Sequence, residues 1–422
     1  MSFRGNSIPL QLMKNQKPVE FIALMAFMMA IGAFSIDAIL PAMQVIGDDF
    51  GITNTNDNQL LVSLVFLGLA IGQIFFGPLS DSLGRKPAVY FGFSIFIVGS
   101  LLSIISTSFE WMLFSRFIQG IGLGAPRTIG MAMVRDRYVG DFMARIMSFI
   151  MVVFILVPMV APAVGQEVLH LAGWKAIYGT QILIAIVIVF WFYFRQEETL
   201  KPENKIPFSI RKINKAVAEI FRTKTTLAFT LIMGLIQGAF LVYLSSAQQI
   251  FQEQYNLGDK FPLVFALLAL SIGVASLVNS KMVMIFGMDK MTFWSLAGFT
   301  VLSVIAAVLF TIFSHQNPPL WMFMVFLIAL LFCTGILFGN LNALAMRPLG
   351  HVAGLGSTVV GFVSTLISVP LGISIGRYIE QTALPLVLGF AFSGLISMII
   401  FLWLRGQKVP ENYEVELAEA RI

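Results

Sequence analysis

Apolar runs with almost no charge recur from one end of this chain to the other. Each is about 18 residues or longer, enough to cross about 30 Å of hydrocarbon as a helix. Of the 422 residues 58% are hydrophobic and 12% charged, against about 45–50% apolar and about 25% charged in a soluble domain. So few charges cannot cover a soluble surface of this size, and most of the chain must face lipid or other apolar helices. The runs are continuous, which argues against the short alternating strands of a membrane barrel. The first run, Val19 to Leu40, is too long for a signal-peptide core and lacks a small-residue cleavage site after it. It reads as an uncleaved span. Cys333 is the only cysteine, so no internal disulfide can form.

The expected architecture is an all-α integral membrane protein with about twelve transmembrane helices. They are expected near 19–42, 57–80, 88–107, 109–133, 143–167, 175–194, 225–249, 261–281, 290–313, 319–345, 352–377 and 383–404. The one long polar interruption is "RQEETLKPENKIPFSIRKINKAVAEIFRTK". It divides the chain into a six-helix bundle over 1–194, a linker over 195–224, a second six-helix bundle over 225–404 and a tail over 405–422. Paired bundles of this kind place a site between them. Residues 208–222 of the linker read either as an amphipathic surface helix or as a solvated tether. The internal repeat is faint: "MIFGMDK" echoes "DSLGRK" only in its glycine and a basic residue.

Basic residues fix the orientation. Arg4, Lys14, Lys17, Arg85, Lys86, Arg135, Arg137, Arg145, Lys281, Lys290, Arg347, Arg405, Lys408 and Arg421 fall on one face, together with the linker's eight. The opposite loops hold only Lys175, Lys260 and Arg377. The positive-inside rule then makes both termini and the linker cytoplasmic. The net charge of +5 does not point to nucleic acid, because the basic residues sit between spans.

Charges inside spans are expensive and functional by default. Asp37, in "FSIDAILPAM", is one; the alternative is a residue that reaches water near the outer end. Arg116 lies at similar depth in the fourth span, so the two suggest an ion pair, either broken by protonation or static. Arg127 follows Arg116 by eleven residues, about three turns, on the same face and about 16 Å deeper. It either lines a cavity, binding an anionic or carbonyl-bearing part of a substrate, or snorkels to the cytoplasm or pairs with Asp136. Gln73, Gln119, Gln237, Tyr243, Asn340 and Asn342 are polar groups at depth, fitting either a cavity or interhelical hydrogen bonding. His170, His315 and His351 fall near loops. No metal-ligand spacing or nucleophile–base pair is present, so neither enzyme chemistry nor a metal or cofactor is expected.

Between the second and third spans stands "GPLSDSLGRKP", read as a tight glycine-bounded turn carrying Gly77, Asp81, Gly84, Arg85 and Lys86. It resembles the signature loop of the major facilitator superfamily. "RFIQGIGLGA" resembles that family's fourth-helix motif, and "VPMVAPAVGQ" the fifth-helix motif of its exporters. "DAILPA", "MVRDRY" and "APAVG" resemble the Bcr/CflA branch of drug:proton antiporters. The resemblance implies a bacterial inner-membrane exporter with Asp37 as proton-responsive carboxylate and Arg116 influencing it. Asp81 and Arg85, with Arg135, would form a cytoplasmic lock, helped by the helix start near "HVAGLGS". Pro158, Pro162 and Gly165 would kink the fifth helix. Ala161, Gln166, Arg127 and Met29 depart from the usual pattern. The implied partners are a small-molecule substrate, protons and the lipid bilayer, with the chain acting as a monomer. Rival expectations are export of an anionic metabolite, siderophore or amino acid, import by symport, and a non-transporting membrane sensor.

Overall fold

The computed structural model describes residues 18–138, 140–312 and 317–406. Arg4, Lys14, Lys17, His315, Lys408, Arg421 and the tail beyond 406 lie outside the described residues. Among the described residues there are no strands. The long helices are α1 (Pro18–Asp37), α3 (Leu60–Leu83), α4 (Arg85–Ile104), α5 (Phe109–Arg137), α6 (Gly140–Ala172) and α7 (Trp174–Arg195) in the first half. The second half holds α9 (Lys224–Gln248), α10 (Phe261–Phe286), α11 (Met288–Ile312), α12 (Leu320–Met346), α13 (Ala353–Gly376) and α14 (Leu384–Gly406). Two short helices complete the set, α2 (Met43–Asp49) and α8 (Ile210–Arg222). The long helices agree with the twelve expected spans. Among the described residues, ten segments are long and apolar enough to cross a membrane. Those of α5 and α6 are not among them: glycines, Arg116 and Arg127 dilute the apolar character of α5, and α6 contributes the shorter apolar stretch Leu156–Ala172.

One correction concerns the turn between α3 and α4. Residues 81–87 do not form a loop. α3 carries Gly77, Pro78 and Asp81 as helix, and α4 resumes at Arg85. The whole reversal rests on Gly84, at φ +116°. Only glycine takes that backbone without strain. Gly287, at φ +80°, separates α10 from α11 in the same way. The faint sequence echo is therefore a shared one-residue break. Each copy carries an ion pair, with reversed polarity. Arg85 at the start of α4 pairs with Asp136 near the end of α5, and Asp289 at the start of α11 pairs at 2.9 Å with Arg347, just past α12.

Close contacts cluster the chain into two units, Met1–Ile213 with Leu244–Gly273, and Asn214–Tyr243 with Val274–Ile422. The division cuts through α9 and α10. In the first unit, α3 and α5 meet along glycines four residues apart, Gly68 and Gly72 against Gly120 and Gly124. A Cβ on any of these four would run into backbone of the partner helix. In a membrane, where the apolar effect does not drive helices together, such small-residue seams supply the packing. The seam also fixes the rotation of α5, turning Arg116 inward. In the second unit, Gly234 and Gly238 of α9 accommodate Ile367 and Leu371 of α13. Phe229 packs against Phe401 with ring centroids 6.2 Å apart. Large apolar side chains such as Phe91, Phe114, Leu183, Phe190, Trp294 and Ile399 are exposed, as expected of lipid-facing positions.

Candidate transport site

The first cluster lies where α3, α4 and α5 meet the linker. The Arg85 side chain is almost fully buried. Its Nε and Nη2 donate to Asp136 at 2.9 and 3.3 Å, and its Nη1 to Asp81 at 2.5 Å and to the Ser80 hydroxyl at 2.8 Å. Arg135, expected in this lock, is exposed. The acidic partner of Arg85 on α5 is the next residue, Asp136, whose side chain stands about 100° further round the helix. Lys86 lies over the Tyr193 ring at 6.0 Å.

Residues 198–206 of the linker are bound here. Glu198 accepts from the backbone N–H groups of Arg85, Lys86 and Leu200, each at 3.0 Å. Thr199 donates to Asp136 at 2.9 Å, and Ile206 N–H to the Asp81 carbonyl at 3.0 Å. The first N–H groups of a helix have no partner within it, so a carboxylate there acts as a cap. Glu198→Ala is expected to destabilise the folded protein by about 1 kcal/mol, as lost caps do. Thermal unfolding in detergent reads this, with Glu203→Ala, on an exposed linker carboxylate, as the unaffected control.

The second cluster surrounds the end of α1. Arg116 is 0% exposed. It does not pair with Asp37. Its Nε donates to the Leu61 carbonyl at 3.0 Å, its Nη2 to the Ser35 carbonyl at 3.5 Å, and its Nη1 to Gln119 Oε1. It also lies over the Tyr178 ring at 5.7 Å. The last carbonyls of α1 lack helical partners and carry the negative end of its dipole, so a guanidinium is stabilised there without a carboxylate. Gln119 donates onward to Ser100 at 2.7 Å and to Gln181 at 2.8 Å, and Gln181 donates to the Ser35 carbonyl at 3.3 Å. Asp37 is 4% exposed. Among the described residues no hydrogen bond or ion pair reaches its carboxylate.

α6 runs as helix through both Pro158 and Pro162. Its Gly165 lies against Ala38, the residue after Asp37, so closely that a Cβ would overlap the Ala38 carbonyl. This explains a glycine at that position: α6 rests on the backbone that carries Asp37. Overpacking typically costs about 1–3 kcal/mol, and Gly165→Ala is expected to lower the unfolding temperature accordingly. Gly179→Ala, where nothing lies within 4 Å, is expected to leave it unchanged.

A third cluster escaped the sequence reading. Gln249 opens a π-helical turn, Gln249–Gln254, that continues α9. Its side chain accepts from Gln59 at 3.1 Å and donates to Asn56 at 3.0 Å. All three are buried, in the first unit and at the end away from the linker. Gln166, which stands where a glycine is usual, donates to Asp259 at 2.7 Å. The only signal in the sequence was the polar run "NTNDNQ" before the second span.

The remaining candidates separate. Arg127 is exposed although it sits about 15 Å inside the end of α5. Gln73 is half-buried. In the second unit Gln237 donates to Thr365 at 3.3 Å, and Asn340 exchanges hydrogen bonds with Asn279 at 2.9 and 3.0 Å. These two join helices, as polar groups in membranes do. Tyr243 is buried and Asn342 half-buried.

Long lipid-facing helices, two glycine-broken helix pairs and buried charges inside spans define a membrane transporter. A sequence profile of the Major Facilitator Superfamily matches residues 22–375, and the chain belongs to that superfamily; it is a transporter and not an enzyme. It is 27% identical to the MFS-type transporter YdgK of Bacillus subtilis, over 92% of this chain and 96% of that one. It is 25% identical to the bicyclomycin resistance protein homolog of Haemophilus influenzae, over 93% and 98%. It is 23% identical to the multidrug resistance protein MdtL of Klebsiella pneumoniae, over 91% and 95%. Among solved structures, a D-xylose-proton symporter matches with a TM-score of 0.73 at 12% identity, covering 93% of this chain and 98% of that one. The human organic anion transporter MFSD10 matches with a TM-score of 0.64 at 14% identity, covering 92% and 100%. These likenesses concern the fold.

Proposed function

We propose that this chain exports small, partly hydrophobic compounds, drugs among them, across the bacterial inner membrane in exchange for protons. The observation that carries the reading is Asp37: a buried carboxylate that has, among the described residues, no hydrogen-bond or ion-pair partner, on a helix end contacted by Gly165 of the exporter-like motif. The names of the drug-resistance relatives point the same way. Both termini and the linker face the cytoplasm, by the distribution of basic residues. The protein works as a monomer, built from the bundles 1–194 and 225–404. Asp37 takes a proton from the outside, the bundles rock inward, and substrate binding favours release of the proton to the cytoplasm. Proton and substrate must stabilise different states for this to couple. Gly84, Asp81, Arg85 and Asp136, capped by Glu198, form the cytoplasmic gate.

Arg127 favours a second reading, in which the cargo is an anionic metabolite. An exposed guanidinium this deep in a span suits an anion or carbonyl.

The test is substrate-triggered proton release from energised everted vesicles. The panel holds phenicols, bicyclomycin, sulfonamides, cationic dyes and anionic metabolites. A response to drugs or dyes alone is the expected result. A response to anionic metabolites alone transfers the assignment to the second reading. Silence across the panel, with the protein confirmed in the membrane, sinks the antiport reading.

A further inference from the structure

Four hydrogen bonds near the end of α1 close a ring. Arg116 Nη2 donates to the Ser35 carbonyl and Arg116 Nη1 to Gln119 Oε1; Gln119 Nε2 donates to Gln181 Oε1, and Gln181 Nε2 returns to the Ser35 carbonyl. Three helices, α1, α5 and α7, contribute. Arg116, Gln119 and Gln181 are each 0% exposed, so no water competes for these bonds. We propose that Gln181 is a positioning residue for proton coupling: it closes the ring that holds the Arg116 guanidinium on the Ser35 carbonyl and off the Asp37 carboxylate two residues further on. The inference rests on the proton-antiport reading above.

Gln181 acts through amide polarity. A side-chain amide has one accepting and one donating end. Because Gln181 Oε1 accepts from Gln119 Nε2, Gln119 must turn its own oxygen toward Arg116. Because Gln181 Nε2 donates to Ser35, its oxygen must face Gln119. Every member is thus oriented by its neighbours, and a fully satisfied buried network of this kind is rigid. With Gln181 removed, Gln119 Nε2 keeps Ser100 but loses the partner that fixes its sense, and the Ser35 carbonyl loses one of its two side-chain donors. Arg116 then keeps its bond to the Leu61 carbonyl but is less firmly held at the end of α1, from where its guanidinium can swing toward Asp37.

The charged and titratable groups in the same half of the helices packed on α1 are few. They are Arg116 and Glu110 on α5, Glu167 and His170 on α6, and Lys175 and Tyr178 on α7. Only Arg116 and Tyr178 among them are buried. Arg116 is therefore the one buried cation there whose position can alter the proton affinity of Asp37.

The experiment is the pH profile of substrate-driven proton exchange in vesicles for wild type, Gln181→Met and Gln181→Asn, at equal expression and with unfolding temperatures measured alongside. Met fills nearly the volume of Gln without hydrogen bonds. A cation within about 4–6 Å lowers a carboxylate's proton affinity by about 10- to 1,000-fold. The expected result for Met is a midpoint about one pH unit or more toward acid, with the maximal rate reached only at lower pH. Asn keeps an amide on a stem one methylene shorter, and its midpoint is expected to lie between the other two. If either variant that folds loses rate without moving the midpoint, Gln181 is only a packing residue and the proposal is overturned. If wild type itself exchanges no protons, the antiport reading fails first and is recognised separately. Should Met not fold, Asn alone decides, because its expected shift has the same sign.

Discussion

The Asp37→Asn protein, at equal expression, is expected to show no substrate-triggered proton release in everted vesicles while still binding substrate. Asparagine has almost the shape of aspartate, so the helix end and its contact with Gly165 of α6 survive. What is lost is the ability to change charge. Charges inside a span are expensive, by several kcal/mol where nothing compensates them. Asp37 also lies at the last residue of α1, facing the negative pole of the helix dipole. The buried cation at the end of α1, Arg116, is engaged by carbonyls and by Gln119. Protonation is therefore the available means of neutralising Asp37, and a group in that situation is suited to carry the driving ion. Loss of exchange to the level of empty vesicles, with binding intact, is the outcome that supports this. Exchange that persists in Asp37→Asn removes Asp37 as the carrier and turns attention to the second half, where Gln237, Asn340 and Asn342 hold no charge.

The long helices were legible because hydrocarbon thickness imposes their length and apolar character residue by residue. The identity of the mid-span charges was legible for the same reason: Asp37, Arg116 and Arg127 stand out against apolar neighbours. Their contacts were not. Arg116 and Asp37 share a depth, and depth alone suggested an ion pair; the rotation of α5, set by the glycine seam on α3, gives Arg116 to backbone carbonyls and Gln119. That Arg85 bonds to Asp136, the neighbour of Arg135, is a matter of one helical step, which no composition argument resolves at a helix end. The turn at Gly84 was read too long, because polar residues such as Asp81 and Arg85 resemble a loop even when they form helix termini. Gln181 and Glu198 passed unnoticed, since a single amide in an apolar span and one acid in a charged linker each have ordinary explanations. Their meaning comes only from partners many residues away.

Gln249→Leu is expected to loosen the end of the molecule opposite the linker by about 5- to 150-fold, the range that about 1–3 kcal/mol gives. Leucine fits the volume but neither accepts from Gln59 nor donates to Asn56, and buried hydrogen bonds lost in this way cost about 0.5–1.5 kcal/mol each, more where a polar group is left unmade. The backbone adds to the effect. Gln249 begins a π-helical turn, a rare and weaker geometry that persists where surrounding contacts hold it. The three side chains are neutral amides, whereas the opposite end of the first unit is tied by the charged Arg85, Asp81 and Asp136. Hydrogen exchange measured by mass spectrometry reads the prediction directly. Peptides covering 244–260 are expected to exchange at least fivefold faster in Gln249→Leu, with those covering 80–90 and 198–206 unchanged. Unchanged exchange across 244–260 would show that the amides only fill space, and that this end of the first unit is held by apolar residues such as Ile250 and Phe251 instead.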